Sequence, residues 1–86
     1  MRLTASVRQQ LLDQNDGFEK TVPYVGKNLT EYTEYSISDG QLYIRKSGKT
    51  SWADSRYSEE RRPADDKETH SFLYRYQNSL NTDGIE

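Results

Sequence analysis

The dipeptide Asp39-Gly40, which separates two runs of strand-forming residues, is the feature that most constrains the fold of this chain. A two-residue hairpin turn of type I′ needs positive φ at both central residues, and Asp-Gly meets that need at low cost. The turn therefore predicts a β-hairpin with antiparallel strands over residues 29–38 and 41–47.

A two-residue turn also fixes the register of the hairpin, because positions equally distant from the turn face each other. Ile37 is then expected opposite Leu42. Two positions further from the turn, Tyr35 is expected opposite Ile44, so these apolar side chains share one face of the sheet. The other face receives Tyr32, Glu34, Ser36, Tyr43 and Arg45.

The segment before the hairpin predicts one helix and one strand. Apolar residues four positions apart predict a short amphipathic helix over residues 4–15. Residues 18–25 are rich in β-favouring side chains and predict a strand. Pro23 lacks an N–H to donate to a ladder, so we expect this strand at the edge of the sheet.

The segment after the hairpin contains an irregular stretch and a helix. Residues 48–64 have neither helical nor strand periodicity and predict a long loop or a short fourth strand. Asp65 then precedes Glu68 at capping-box spacing, and an apolar stripe predicts a helix over residues 66–80. The whole chain is predicted to be a single α+β domain, with an N-terminal helix, a three- or four-stranded antiparallel sheet and a C-terminal helix.

Apolar residues are scarce, which limits the core that this domain can build. Leu, Ile, Val and Phe together account for 15 of the 86 residues, while seven Tyr and one Trp supply much of the remaining apolar surface. A domain of this size buries only about 60–65% of the surface of its unfolded chain. We therefore expect marginal stability, or support from a partner or from a second copy in a homodimer.

Three kinds of chemistry find no support in the residue pattern. The chain has no Cys, which excludes disulfides, thiolate nucleophiles and Cys-ligated metals. His70 is the only histidine, and no partner for acid–base or metal chemistry can be named for it. Residues 47–50 end like a phosphate-binding loop, but Tyr43 stands where that motif needs glycine. We expect no catalytic, metal-binding or cofactor-binding residues, and hence a protein that is not an enzyme.

The chain carries no obvious targeting or membrane signal. Its first eight residues lack the apolar run of a signal peptide. No stretch reaches the about eighteen consecutive apolar residues of a membrane span. The expected location is the cytoplasm, with no membrane partner.

Basic and aromatic residues concentrate in the middle of the chain. Residues 41–62 hold six basic and three acidic residues, in a chain whose net charge is −2. Protein interfaces enrich Tyr, Trp and Arg, and so the expected partner-binding residues are Tyr32, Tyr43, Arg45, Trp52, Arg56 and Tyr57. The alternative is a nucleic-acid or nucleoprotein binder that uses the basic-aromatic segment 43–62, with further contacts from Lys46, Lys49, Arg61 and Arg62.

In size, absence of cysteine, polar composition and helix–sheet–helix layout, the chain resembles small accessory proteins of phages and mobile elements. Among these are inhibitors of host defence such as anti-CRISPR proteins. The resemblance is one of type, since no motif identifies a particular family. It implies a small protein-binding modulator or inhibitor that occupies the surface of a protein or nucleoprotein complex.

Overall fold

The computed structural model describes residues 2–50 and 56–85. Within these residues, two helices pack on one face of a five-stranded antiparallel sheet, which confirms the predicted α+β fold. The elements are α1 (Ala5–Gln14), β1 (Glu19–Val25), β2 (Leu29–Ser38), β3 (Gln41–Thr50), β4 (Arg56–Ser58), β5 (Arg62–Pro63) and α2 (Asp66–Tyr76), followed by a 3₁₀ turn (Gln77–Ser79).

The central hairpin has the predicted turn and register. Asp39 has a φ of 52° and Gly40 a φ of 72°, as a type I′ turn requires. The paired residues of β2 and β3 include Ser38 with Gln41, Ile37 with Leu42, Ser36 with Tyr43, Tyr35 with Ile44 and Glu34 with Arg45. Strand β3 continues to Thr50, beyond the predicted end at residue 47.

Residues of α1 and of the turn that follows it hold the hairpin turn in place. The side-chain amide of Gln9 donates to the carbonyl of Gly40 at 3.0 Å, and the amide of Asp39 donates to Asp16 Oδ1 at 3.0 Å. A Cβ atom at Gly40 would lie 2.8 Å from both Asp13 Oδ1 and Gln9 Nε2. Glycine is therefore needed here for the close approach of the helix as well as for the positive φ.

Strand β1 lies at one edge of the sheet, as the position of Pro23 predicts. The irregular segment that follows the hairpin contains two short strands instead of a loop or a single strand. Both pair with the outer edge of β3: β4 with Ser47–Lys49, and β5 with Tyr43–Ile44. Each of these strands is too short to produce a periodic pattern in the sequence.

The core lies between the helices and the half of the hairpin nearest the turn. Its most deeply buried side chains are those of Leu11, Ile37, Leu42 and Leu73. The other buried apolar residues are Leu3, Val7, Leu12, Ile44, Ala64, Phe72 and Leu80. The apolar face that the register predicts is thus the face on which the helices pack.

Side-chain caps define where both helices begin. Thr4 accepts a hydrogen bond from the amide of Val7 at the start of α1. Asp65 and Glu68 form the predicted capping box at the start of α2. Helix α2 ends at Tyr76, before the predicted end at residue 80, because the chain tightens into the 3₁₀ turn.

The molecule is elongated, with extents of 49 × 21 × 20 Å and a radius of gyration of 14.8 Å. A compact domain of this length would have a radius of gyration of about 12 Å. Among the described residues, the core residues of β2 and β3 that lie furthest from the turn are Tyr35 and Ile44. The distal half of the sheet therefore extends beyond the helices.

Candidate binding surface

The sheet face opposite the two helices is called the open face here. Side chains alternate between faces along each strand, so the register assigns each residue to one side. Of the described elements, both helices pack on the other side, against Ile37, Leu42 and Ile44. The aromatic and charged residues that the strand register places on the open face are Glu19, Tyr32, Glu34, Tyr43, Arg45, Lys49 and Arg56.

Tyr32 is the most exposed aromatic side chain that the register places on the open face, at 43% exposure. Its neighbours across the sheet are Pro23 on β1 and Ser47 on β3, with Ser58 on β4 beyond. Serine side chains are short, and they leave a shallow depression beside the tyrosine ring. Lys49 and Arg56 also line that depression, together with the paired residues Gly48 and Tyr57 of β3 and β4.

Tyr43 lies nearer the turn and is covered by a guanidinium group. The Cζ atom of Arg61 lies 3.9 Å from the centroid of the Tyr43 ring, within the range of a cation–π contact. The tyrosine is half-buried, whereas Arg61 is exposed. The group that this part of the open face presents to a partner is therefore the stacked arginine.

Arg45 lies between the two tyrosines and is held by two hydrogen bonds. Its Nη1 donates to Glu34 Oε2 at 3.1 Å, and its Nη2 donates to Ser58 Oγ at 2.6 Å. Exposed ion pairs of this kind contribute only about 0–1 kcal/mol to stability. Their effect here is to fix the position of the Arg45 side chain between β2 and β4.

The structure divides the residues singled out in the sequence between the two faces. The register and the Arg61–Tyr43 contact place six of them on the open face, namely Tyr32, Tyr43, Arg45, Lys49, Arg56 and Arg61. The helix-side face carries Lys46, Tyr57 and Arg62. Trp52 lies outside the described residues.

Tyr57 lies over a glycine on the helix-side face. Its ring packs on Gly48, where a Cβ atom would come within 2.5 Å of the ring. Its hydroxyl donates to the carboxylate of Glu31, and this hydrogen bond is the main cause that raises the pKa of Tyr57 from 10.0 to about 12. Because the residue is 39% exposed, Tyr57 can still contact a partner, but its side chain lies on the face opposite Tyr32.

Arg62 links β5 to α2. Its two terminal nitrogens donate to the two carboxylate oxygens of Glu68 at 2.8 and 2.6 Å. Together with the amide of Asp65, this pairing lowers the pKa of Glu68 to about 2, and it raises the pKa of Arg62. The side chain of Arg62 therefore holds the end of the sheet against the helix.

Three residues beside Tyr32 on the open face were not among the candidates that the sequence pattern indicated, namely Pro23, Ser47 and Ser58. For Ser47 the signal was present, since the hairpin register places it opposite Tyr32. Pro23 and Ser58 could not be found in this way, because their positions depend on the pairing of β1 with β2 and of β4 with β3.

Within residues 2–50 and 56–85, no three acidic or histidine side chains are grouped so that they could hold a metal ion. No helix in this part of the chain has the length and apolar character needed to cross a membrane. The chain matches no protein-family model, no curated protein and no solved structure. The functional information therefore comes from the arrangement of the surface itself.

Proposed function

We propose that this protein is a non-enzymatic binding module that modulates or inhibits a partner protein by covering part of its surface with the open face. The main support is the gathering of two tyrosines and four basic side chains on a face to which neither helix packs. Tyr and Arg are the residues that most often dominate binding energy at protein interfaces.

Two of these side chains are already held in place before a partner binds. Arg45 is fixed by Glu34 and Ser58, and Arg61 is stacked on Tyr43. Ordering a flexible side chain at an interface costs about 0.5–1.5 kcal/mol, so groups that are fixed in advance bind with less loss of entropy.

The charges of the open face indicate the chemistry of the partner. Among the residues that the structure describes, its basic side chains are those of Arg45, Lys49, Arg56 and Arg61, and its carboxylates are those of Glu19 and Glu34. The fitting partner surface is acidic and offers an apolar spot for Tyr32. Inhibitors of host factors encoded by phages and mobile elements, the anti-CRISPR-like class included, are the kind of protein that we propose.

The alternative is a nucleic-acid or nucleoprotein binder. It is favoured by the position of Lys49 and Arg56 beside the exposed ring of Tyr32, since a base can stack on tyrosine while cations hold the phosphates. Two observations favour the protein partner. Lys46 and Arg62 lie on the helix-side face, and the ring of Tyr43 is already covered by Arg61.

Affinity capture from the native host, with and without nuclease, would identify the partner for a quantitative test. Tyr32→Ala and Arg56→Glu are each expected to weaken its binding by roughly thirtyfold or more, the effect of a loss of about 2 kcal/mol at an interface hot spot. Arg2→Glu, an exposed charge reversal outside the sheet, is the matched control and is expected to bind normally.

Thermal melting should be nearly the same for all three variants, because none of them touches the core. Normal binding by both open-face variants would disprove the proposed surface. Capture that is lost after nuclease, together with a steep fall of affinity with salt, would favour the nucleic-acid alternative.

A further inference from the structure

A half-open cleft lies on the helix-side face, where α2 meets the sheet. Its volume is about 240 Å³. Four apolar or aromatic side chains line it, those of Tyr35, Ile44, Phe72 and Tyr76. Ser71 and the charged residues Lys67, Glu68 and Arg75 complete its lining.

The aromatic part of the cleft is a packed cluster. The ring centroids of Tyr35 and Phe72 are 4.7 Å apart, and those of Phe72 and Tyr76 are 5.0 Å apart. Phe72 belongs to the buried core, whereas Tyr35 and Tyr76 keep part of their surface exposed. Burial also raises the pKa of Tyr35, which further favours the neutral phenol. The cleft therefore offers a fixed, uncharged aromatic surface.

Cations surround this aromatic surface. Lys67 and Arg75 line the cleft directly, and the ammonium group of Lys20 lies 5.0 Å from the centroid of the Tyr76 ring. Lys46 is close enough to Glu68 to contribute to the lowering of the pKa of that carboxyl.

Three carboxylates lie in the same region. Glu68 is held in its bidentate pair with Arg62, and Asp65 and Glu59 lie near enough to Arg62 to affect its pKa. Even with all three counted, positive charge predominates among the described residues around the cleft, in a chain whose net charge is −2. An anionic occupant is therefore favoured.

We infer that this cleft is a second docking site, which binds an acidic segment of a partner protein by seating one of its aromatic or aliphatic side chains on the surface formed by Tyr35, Phe72 and Tyr76. Sites for small-molecule ligands usually measure about 300–1,000 Å³, and this cleft is smaller. Its size suits a single side chain, and its charge suits acidic neighbours on either side of that side chain.

The site is independent of the proposed function of the open face, because the two surfaces lie on opposite sides of the sheet. The probe is a blocked pentapeptide that has one phenylalanine between two pairs of glutamates. It is titrated into the isotope-labelled protein while amide chemical shifts are followed by NMR. Shifts are expected at Lys67, Ser71 and Arg75.

Two variants test the cleft itself. Ser71→Trp places a large side chain in the cleft from an exposed position and should abolish the shifts. Lys67→Glu combined with Arg75→Glu should lower the affinity for the peptide by about tenfold, since each charge reversal replaces an attraction to the glutamates of the peptide by a repulsion. As the matched control, Arg45→Glu combined with Arg56→Glu reverses two charges on the open face and should leave peptide affinity unchanged.

The inference is overturned if the peptide causes no shift at these residues, or if a peptide with glycine in place of phenylalanine binds equally well. It is also overturned if an oligothymidylate binds the same residues more tightly than the peptide does. Self-association that depends on Lys67 and Arg75 would overturn it too, because the occupant would then be a second copy of this chain. Should Ser71→Trp fail to fold, the double charge reversal decides.

Discussion

Gly48 shows how one residue shapes the part of the sheet that the helices do not reach. It is buried because the ring of Tyr57 lies on it, and a Cβ atom there would be only 2.5 Å from that ring. The same placement brings the Tyr57 hydroxyl to Glu31 on β2. A glycine on β3 thus allows a side chain on β4 to reach across to β2.

The Tyr57–Glu31 hydrogen bond predicts an unusual tyrosine titration. The pKa of Tyr57 is raised from 10.0 to about 12, mainly because the hydrogen bond to Glu31 favours the neutral phenol. Stabilisation by this bond should therefore be complete below pH 10 and be lost as the pH rises toward 12. Absorbance at about 295 nm follows tyrosinate formation, and we expect Tyr57→Phe to remove the last-titrating step.

Glu31→Gln and Gly48→Ala should both move the pKa of Tyr57 back toward its ordinary value. The first replaces the carboxylate, and the second displaces the ring. Tyr24→Phe removes another exposed tyrosine of the distal sheet and serves as the control. A late step that survives Tyr57→Phe would show that another group is responsible.

Among the elements, α2 has the most fully defined start. The Asp65 side chain accepts from the amide of Glu68 at 2.7 Å, and the amide of Asp65 donates to the Glu68 side chain at 3.2 Å. The same Glu68 carboxylate accepts hydrogen bonds from both terminal nitrogens of Arg62 on β5. One side chain therefore caps the helix and also fixes it to the sheet.

This dual role predicts a loss of stability in acid. The pKa of Glu68 is lowered from 4.5 to about 2, first by Arg62 and then by the Asp65 amide. Because the carboxylate is the stabilised form, its contribution is complete above pH 4.5 and is lost as the pH falls toward 2. Glu68→Gln should lower the free energy of unfolding at neutral pH by about 0.5–1 kcal/mol, the range for partly exposed ion pairs and caps.

Urea denaturation at neutral pH and near pH 2 measures this effect. The free energy of unfolding of Glu68→Gln should be lower than that of the wild type at neutral pH, and the two values should be nearly equal in acid. Glu60→Gln neutralises an exposed carboxylate outside the cap and should change stability little at either pH. A difference for Glu68→Gln that persists unchanged in acid would contradict the assignment.

At the scale of the whole molecule, the main feature is that the described core residues lie under only one half of the sheet. Every described core residue of the sheet lies in its turn-proximal half, while the sheet continues beyond the helices within a molecule 49 Å long. Removing a side chain such as that of Phe72 would cost about 3–5 kcal/mol, against a total stability of about 5–15 kcal/mol. The homodimer expected from so small a core stays a prediction, which sedimentation equilibrium can test.

This distribution predicts that the two ends of the sheet differ in local stability. Amide hydrogens of residues 34–45 should exchange only by global unfolding, because their strands pack on the core. Those of residues 29–33 and 46–50 should exchange faster, by local opening. Hydrogen exchange followed by NMR at increasing urea concentration measures the two free energies separately.

Phe72→Ala is the informative variant for this comparison. It should lower the opening free energy of the turn-proximal amides and so narrow the difference between the two ends. Uniform protection along β2 and β3 in the wild type would contradict the prediction, and would show that the distal sheet unfolds together with the core.

The sequence by itself determined the features that depend on neighbouring residues. The Asp39-Gly40 turn specifies the hairpin, and its two-residue length then specifies the register and the face of every residue on β2 and β3. The spacing of Asp65 and Glu68 specifies the start of α2. These signals are local, because turn dihedrals, strand alternation and capping hydrogen bonds each involve residues only a few positions apart.

The tertiary structure alone decided how the segment after the hairpin meets the sheet. The faces of Arg56 and Tyr57 follow from the pairing of β4 with β3, and the contacts of Arg61 and Arg62 follow from the pairing of β5. Such short strands have no periodicity of their own, and their positions depend on an edge of β3 that lies many residues away along the chain. For that reason the sequence could identify most residues of the candidate surface and the faces of those on β2 and β3, but only the fold could assign the residues after the hairpin to the open face or to the helix-side face.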